Sequence, residues 1–85
     1  MYNDPHTNTI GENEMARYMR DNLRNDLNGI NEIAEVRGRN TYLVAEGRNG
    51  YTGLDEHERG TNRCLRNIEC GTPAKCLTAA LQWAI

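Results

Sequence analysis

Apolar residues recur at helical spacing near both ends of the chain and at strand spacing between them. Met15, Ala16, Met19, Leu23 and Leu27 fall on one side of a helix, with three or four positions between successive turns of the stripe. That stripe covers about a third of a helix circumference, as a helix lying on a sheet requires. The helix is expected to begin at Thr9-Ile10-Gly11-Glu12, whose Thr-x-x-Glu spacing suits a capping box. It should end at Leu27, with Gly29 as a left-handed stop and Ile30 continuing the stripe after the turn. At the other end Thr72 is a natural N-cap and Pro73 suits the first helical position. Ala74, Leu77, Ala80, Leu81, Ala84 and Ile85 then share one side of a helix, with Lys75, Thr78 and Gln82 opposite. Cys76 and Trp83 fall on its flank.

Between these helices, Glu32 to Arg37 and Thr41 to Glu46 read as strands joined by a turn at Gly38-Arg39-Asn40. Tyr42-Leu43-Val44-Ala45 is apolar at consecutive positions, so both faces of that strand need cover. This predicts a central strand with one helix on each side. Gly47 to Gly53 reads as a glycine-rich connection, and Leu54 to Arg59 as one helical turn before Gly60. Cys64 to Cys70 alternates weakly and is read as a third strand, with Cys64, Ile68 and Cys70 on one side. The expected order is α-β-β-β-α, a small α+β domain with an antiparallel three-stranded sheet covered by two helices. Residues 1–8 are expected to form a polar arm and residues 9–85 a single domain.

Composition narrows the picture. The chain has 85 residues, 38% of them apolar, with no Phe and one Trp, so the core must be small and aliphatic. A net charge of −2 disfavours bulk attraction to polyanions. Arginine outnumbers lysine nine to one, which suits recognition of carboxylates, phosphates and base edges, and equally fits a bias of genome composition. Three cysteines is an odd number for a secreted scaffold of this size. With no signal-peptide core, no membrane-length apolar run and no N-x-Ser/Thr site, a cytoplasmic protein with reduced thiols and no membrane partner is expected.

His57, Cys64, Cys70 and Cys76 place four metal-ligand side chains in the last third of the chain. Structural zinc sites usually pair ligands on tight C-x2-C knuckles, and five residues separate each of these cysteines from the next. Cys64 and Cys70 are therefore expected to face the sheet interior as small hydrophobes, with no metal or cofactor bound. His57 with Cys64 or Cys70 also offers a base and a nucleophile. No thiol-enzyme signature surrounds them, and Asp55, Glu56 and Glu58 read as a solvated charged turn. An enzyme is not expected, because a chain of this length rarely holds both a core and a deep pocket. The evenly spaced Gly47, Gly50 and Gly53 lack the following Gly-Lys-Ser/Thr of a phosphate loop.

Binding surfaces are the better candidates. Arg17, Arg20 and Arg24 lie within about 60° of one another on the outer face of the first helix. Arg37, Arg39 and Arg48 with Tyr42 and Tyr51 bring guanidinium and aromatic groups to the hairpin, a mixture suited to RNA or single-stranded DNA. Acids at Glu14, Asp21, Asp26, Glu32, Glu35 and Glu46 interleave with these arginines, as on a solvated mixed-charge surface. Tyr18 and Trp83, standing off the core stripes, suit a protein partner or a second copy of the chain.

Gly71-Thr72-Pro73-Ala74-Lys75-Cys76-Leu77-Thr78-Ala79-Ala80-Leu81 resembles the closing helix of small bacteriophage α/β sandwich proteins. In those, a Thr-Pro-x-x-Cys/Ile-x-x-Ala-Ala-Leu helix packs on a short antiparallel sheet. The resemblance implies a phage or mobile-element accessory protein, a group that includes anti-CRISPR inhibitors of host defence complexes, and it carries over no functional residue. The expectation is a non-enzymatic protein-binding domain that occludes a host complex. The alternative is a small binder of RNA or single-stranded DNA.

Overall fold

Each of the four strands meets its neighbour in sequence, so the sheet is a plain antiparallel meander, preceded and followed in the chain by one helix each. The computed structural model describes residues 7–85, with side chains from Glu14 onward. Its elements are α1 (Thr7–Asn22), β1 (Gly29–Glu35), β2 (Thr41–Arg48), β3 (Tyr51–Glu58), β4 (Cys64–Gly71) and α2 (Pro73–Trp83), with sheet order β1-β2-β3-β4. The chain is a small α+β fold, with four strands where three were expected.

The added strand is β3. Asn49 and Gly50 both take positive φ, 55° and 81°, and form the two-residue link between Arg48 and Tyr51. This is the Asn-Gly hairpin turn whose backbone twist matches that of the flanking strands. It carries Tyr51–Glu58 back along β2, from Arg48↔Tyr51 to Thr41↔Glu58. The expected glycine-rich connection and helical turn are therefore the end of β2, the hairpin turn and the arm β3. Thr52, Leu54 and Glu56 alternate inward along it, so the acid-rich segment follows a period of two after all.

Both helices lie on the same face of the sheet. Met19 and Leu23, Cys76 and Ala80, and the strand residues Ile33, Leu43, Ala45 and Leu54 belong to one buried cluster. This corrects the expectation of a helix on each side. Val44 is also buried but stands outside that cluster, on the opposite face, between its register partners Glu32 and Asp55. Central position in the sheet, rather than a second helix, shields it.

α1 ends at Asn22, before the expected Leu27, and it already includes Thr9, so Thr9 is not its cap. The side chains of Thr9 and Glu12, and residues 1–6 of the expected arm, lie outside the described residues. Leu23 and Leu27 remain buried in the turn after the helix, each held by a backbone bond to the residue three before it. Leu27 sits directly on Gly47. A Cβ at Gly47 would lie 2.7 Å from the Leu27 carbonyl oxygen and 2.7 Å from its Cγ. Ile30 does not continue the stripe: it is 68% exposed on β1.

α2 starts as its sequence dictates. The Thr72 hydroxyl accepts from the Lys75 amide at 3.3 Å, with Pro73 in the first turn. Its inner face is turned from the expected one. Pro73, Cys76 and Ala80 are buried, whereas Ala74 is exposed and Ile85 is 95% exposed. Cys76 is thus a core residue, its thiol donating to the Thr52 carbonyl at 3.6 Å. Burial pushes that thiol up from 9.0 to about 11, helped by the charges of Glu69, Cys70 and Asp55, so it stays protonated and inert.

Candidate functional site: the open face of the sheet

The face of the sheet away from the helices carries most of the reactive side chains. Asp55 and His57 are two apart on β3 and point to that face. His57 is in register with Tyr42 of β2 on one side and Cys64 of β4 on the other. The Tyr42 and His57 rings are 5.7 Å apart at 40°. Tyr42 donates its hydroxyl to Asn62 Oδ1 at 2.8 Å, and His57 Nδ1 lies 3.3 Å from the Asn62 carbonyl oxygen. Asn67 donates to Asp55 Oδ1 at 2.9 Å and to the Leu54 carbonyl at 3.1 Å. The donor groups of Asp55, His57 and Cys64 all lie within 4.8 Å of one another.

Two irregularities in β4 create this arrangement. Ile68 is an extra residue between the Glu69↔Leu54 and Asn67↔Asp55 pairs, and Leu65 another between Arg66↔Glu56 and Cys64↔His57. The first bulge turns Ile68 toward the core, where it packs on the buried cluster. Cys64 and Cys70 consequently occupy the open face and are exposed, against the expectation that they face the interior. Cys70 is in register with Gly53, donates to Asn67 Oδ1 at 3.2 Å and lies beside Tyr51. A hydrogen bond with that thiol, then its charge, raises the Tyr51 phenol above its ordinary value of 10.0. Of the four ligand-type side chains for which no metal is expected, the fold brings His57 and Cys64 together. Cys70 is separate from them, and Cys76 lies in the core on the other side of the sheet.

The arginines do not gather. Arg17 and Arg20 lie exposed on α1, while Arg24 falls in the turn beyond it and pairs with Asp26 at 2.8 Å. Arg48 and Tyr51 flank the β2–β3 turn at one end of the sheet. Arg37 and Arg39 lie in the β1–β2 connection at the other end, beside the β3–β4 turn. There the chain uses its cations internally. The Arg39 guanidinium lies 4.5 Å above the Trp83 ring and donates to the carbonyls of Trp83 and Ile85. Arg59 pairs with Glu35 at 3.1 Å and leans over Tyr42, and Arg63 pairs with Glu58 at 3.4 Å. Arg66 meets Glu56 at 2.7 Å.

Glu56 is the buried member of this corner. It accepts from the Thr41 hydroxyl at 2.6 Å and from the Arg66 guanidinium at 2.7 Å. The Thr41 hydrogen bond holds its carboxyl below the ordinary range, with Arg66 and Trp83 assisting against the cost of burial. Glu56 is not among the expected site residues, because neighbouring acids mark a solvated turn; its place on the inward side of a two-residue alternation with Thr52 and Leu54 is the signal that sets it apart.

Comparison with protein-family models, curated proteins and solved structures gives no match. No helix among the described residues is long and apolar enough to cross a membrane.

Proposed function

We propose that this chain is a non-enzymatic protein-binding accessory domain that acts in the cytoplasm by occluding its partner, in the manner of phage inhibitors of host defence complexes. The observation that carries the reading is the chemistry of the open sheet face. Glu32, Glu46 and Asp55 stand there in adjacent strands, with Tyr42 half-buried and Tyr51 59% exposed. Acids and tyrosines on a rigid sheet suit a basic, hydrogen-bonding protein surface. The same acids repel phosphates.

The nucleic-acid alternative has less support. Its candidate arginines are spread over separate surfaces, and Arg24 and Arg39 are engaged within the chain. Backbone-tracking grooves need cations in a continuous stripe.

Two measurements separate the readings. Titration with generic single-stranded RNA and DNA at low salt should show no saturable binding. Affinity capture from a host lysate should return a partner that Tyr51→Ala and Glu46→Lys variants fail to hold. Tight oligonucleotide binding that weakens steeply with salt, together with capture unaffected by those variants, overturns the proposal.

A further inference from the structure

We infer that Asp55, His57 and Cys64 form a binding site for a zinc-class divalent cation on the open face of the sheet. The set differs from the four side chains that the sequence spacing offered, because a carboxylate replaces two of the cysteines. It is assembled by the strand register and the Leu65 bulge rather than by close spacing in the chain.

The three donors have the chemistry that zinc takes: one thiolate, one imidazole and one carboxylate. They already lie within 4.8 Å of one another. Zinc–ligand bonds of about 2.0–2.3 Å in a tetrahedron separate donors by roughly 3.3–3.8 Å, so the donors have at most roughly 1–1.5 Å left to close. Asp55 and His57 come from one strand and Cys64 from the strand paired with it, so the backbone beneath them is fixed by the ladder.

Two of the three ligands are also oriented by partners of their own. The Asn62 carbonyl beside His57 Nδ1 can only accept, which selects the tautomer protonated at Nδ1 and leaves the lone pair on Nε2. Asn62 is held in place by its backbone N–H, which donates to the Glu58 carbonyl at 2.8 Å, and by the Tyr42 hydroxyl, which donates to its Oδ1. The Tyr42 ring backs the imidazole. Asn67 donates to Asp55 Oδ1 and so restrains the rotation of that carboxylate. Such outer partners fix ligand orientation in metal sites generally.

Charge points the same way. Bound zinc with a thiolate, a carboxylate and a neutral imidazole is a neutral centre, and Glu32 and Glu46 on neighbouring strands make the face attractive to cations. Three protein ligands leave the fourth tetrahedral position for water or for a donor group from outside the chain.

Reduced, metal-free full-length protein titrated with Co2+ tests the inference, and it does so independently of any partner. A one-to-one complex is expected, with thiolate-to-cobalt charge-transfer absorption in the near ultraviolet and the visible bands of a tetrahedral centre. Stoichiometric Zn2+ should abolish both. Cys64→Ser should remove the charge-transfer band, and His57→Gln and Asp55→Asn should each weaken binding at least about tenfold. Cys70→Ser should change nothing. Circular dichroism checks that every variant is folded, which is expected because the substituted side chains lie outside the core. Absence of the band in folded wild-type protein overturns the site. So does a band that survives Cys64→Ser, one that depends on Cys70, or one that needs two chains per cobalt.

Discussion

Gly47 illustrates how a single missing Cβ positions the segment after α1. The Leu27 side chain and carbonyl occupy the volume a methyl group would need, and the carbonyl belongs to the backbone and cannot rotate away. Gly47→Ala should therefore destabilise the protein by about 1–3 kcal/mol, as overpacking does. Chemical denaturation with an unchanged m-value measures it, and a loss below about 0.5 kcal/mol contradicts the close approach. Cys76 makes the complementary point about burial. Its thiol is fully buried on the inner face of α2 against the Thr52 carbonyl, and that burial removes its reactivity.

At the scale of elements, the β2–β3 hairpin decides the topology. Gly50 at φ 81° occupies a conformation that disfavours a Cβ, and Asn49 at 55° is among the few other residues that tolerate it. Gly50→Ala should cost roughly 1–2 kcal/mol, read as a lower denaturation midpoint. Nothing lies within 4 Å of a Cβ at that position, so the loss comes from backbone strain and not from a clash. An unchanged midpoint would argue against the positive-φ turn. β4 shows the opposite use of irregularity: its bulges interrupt the exposed edge of the sheet and discourage pairing with another chain.

Across the whole molecule, Glu56 ties three elements together. Thr41 belongs to β2 and Arg66 to β4, and both bond its carboxylate, while Trp83 in the last turn of α2 also favours its charged form. Arg39 then closes over the outer side of Trp83. Because the folded carboxyl titrates below its unfolded value of about 4.3, its contribution is fully present above that pH. It is lost as pH falls through the folded value. Glu56→Gln should accordingly be less stable than wild type at neutral pH by about 1 kcal/mol, with the difference narrowing below about pH 4. Parallel acid-limb denaturation curves for the two proteins would remove Glu56 from this role.

The same network explains the fate of two residues that look like partner anchors in the sequence. Trp83 stands off the apolar stripe of its helix and Arg39 lies in a turn, so each appears available. Only the approach of the β1–β2 connection to the end of α2 reveals that they face one another.

Local chemistry determined what the chain by itself makes legible. Thr72 and Pro73 start α2 through a hydrogen bond three residues long, the α1 stripe repeats within a few turns, and Cys64–Cys70 is extended in both readings. Tertiary structure decided the rest. β3 needs β2 and β4 beside it before its acids and His57 can alternate between two environments. The Cys64 and Cys70 side chains acquire their direction from bulges, which exist only as a mismatch between paired strands. Asp55, His57 and Cys64 therefore meet through register, a relation between segments that no spacing along one segment encodes.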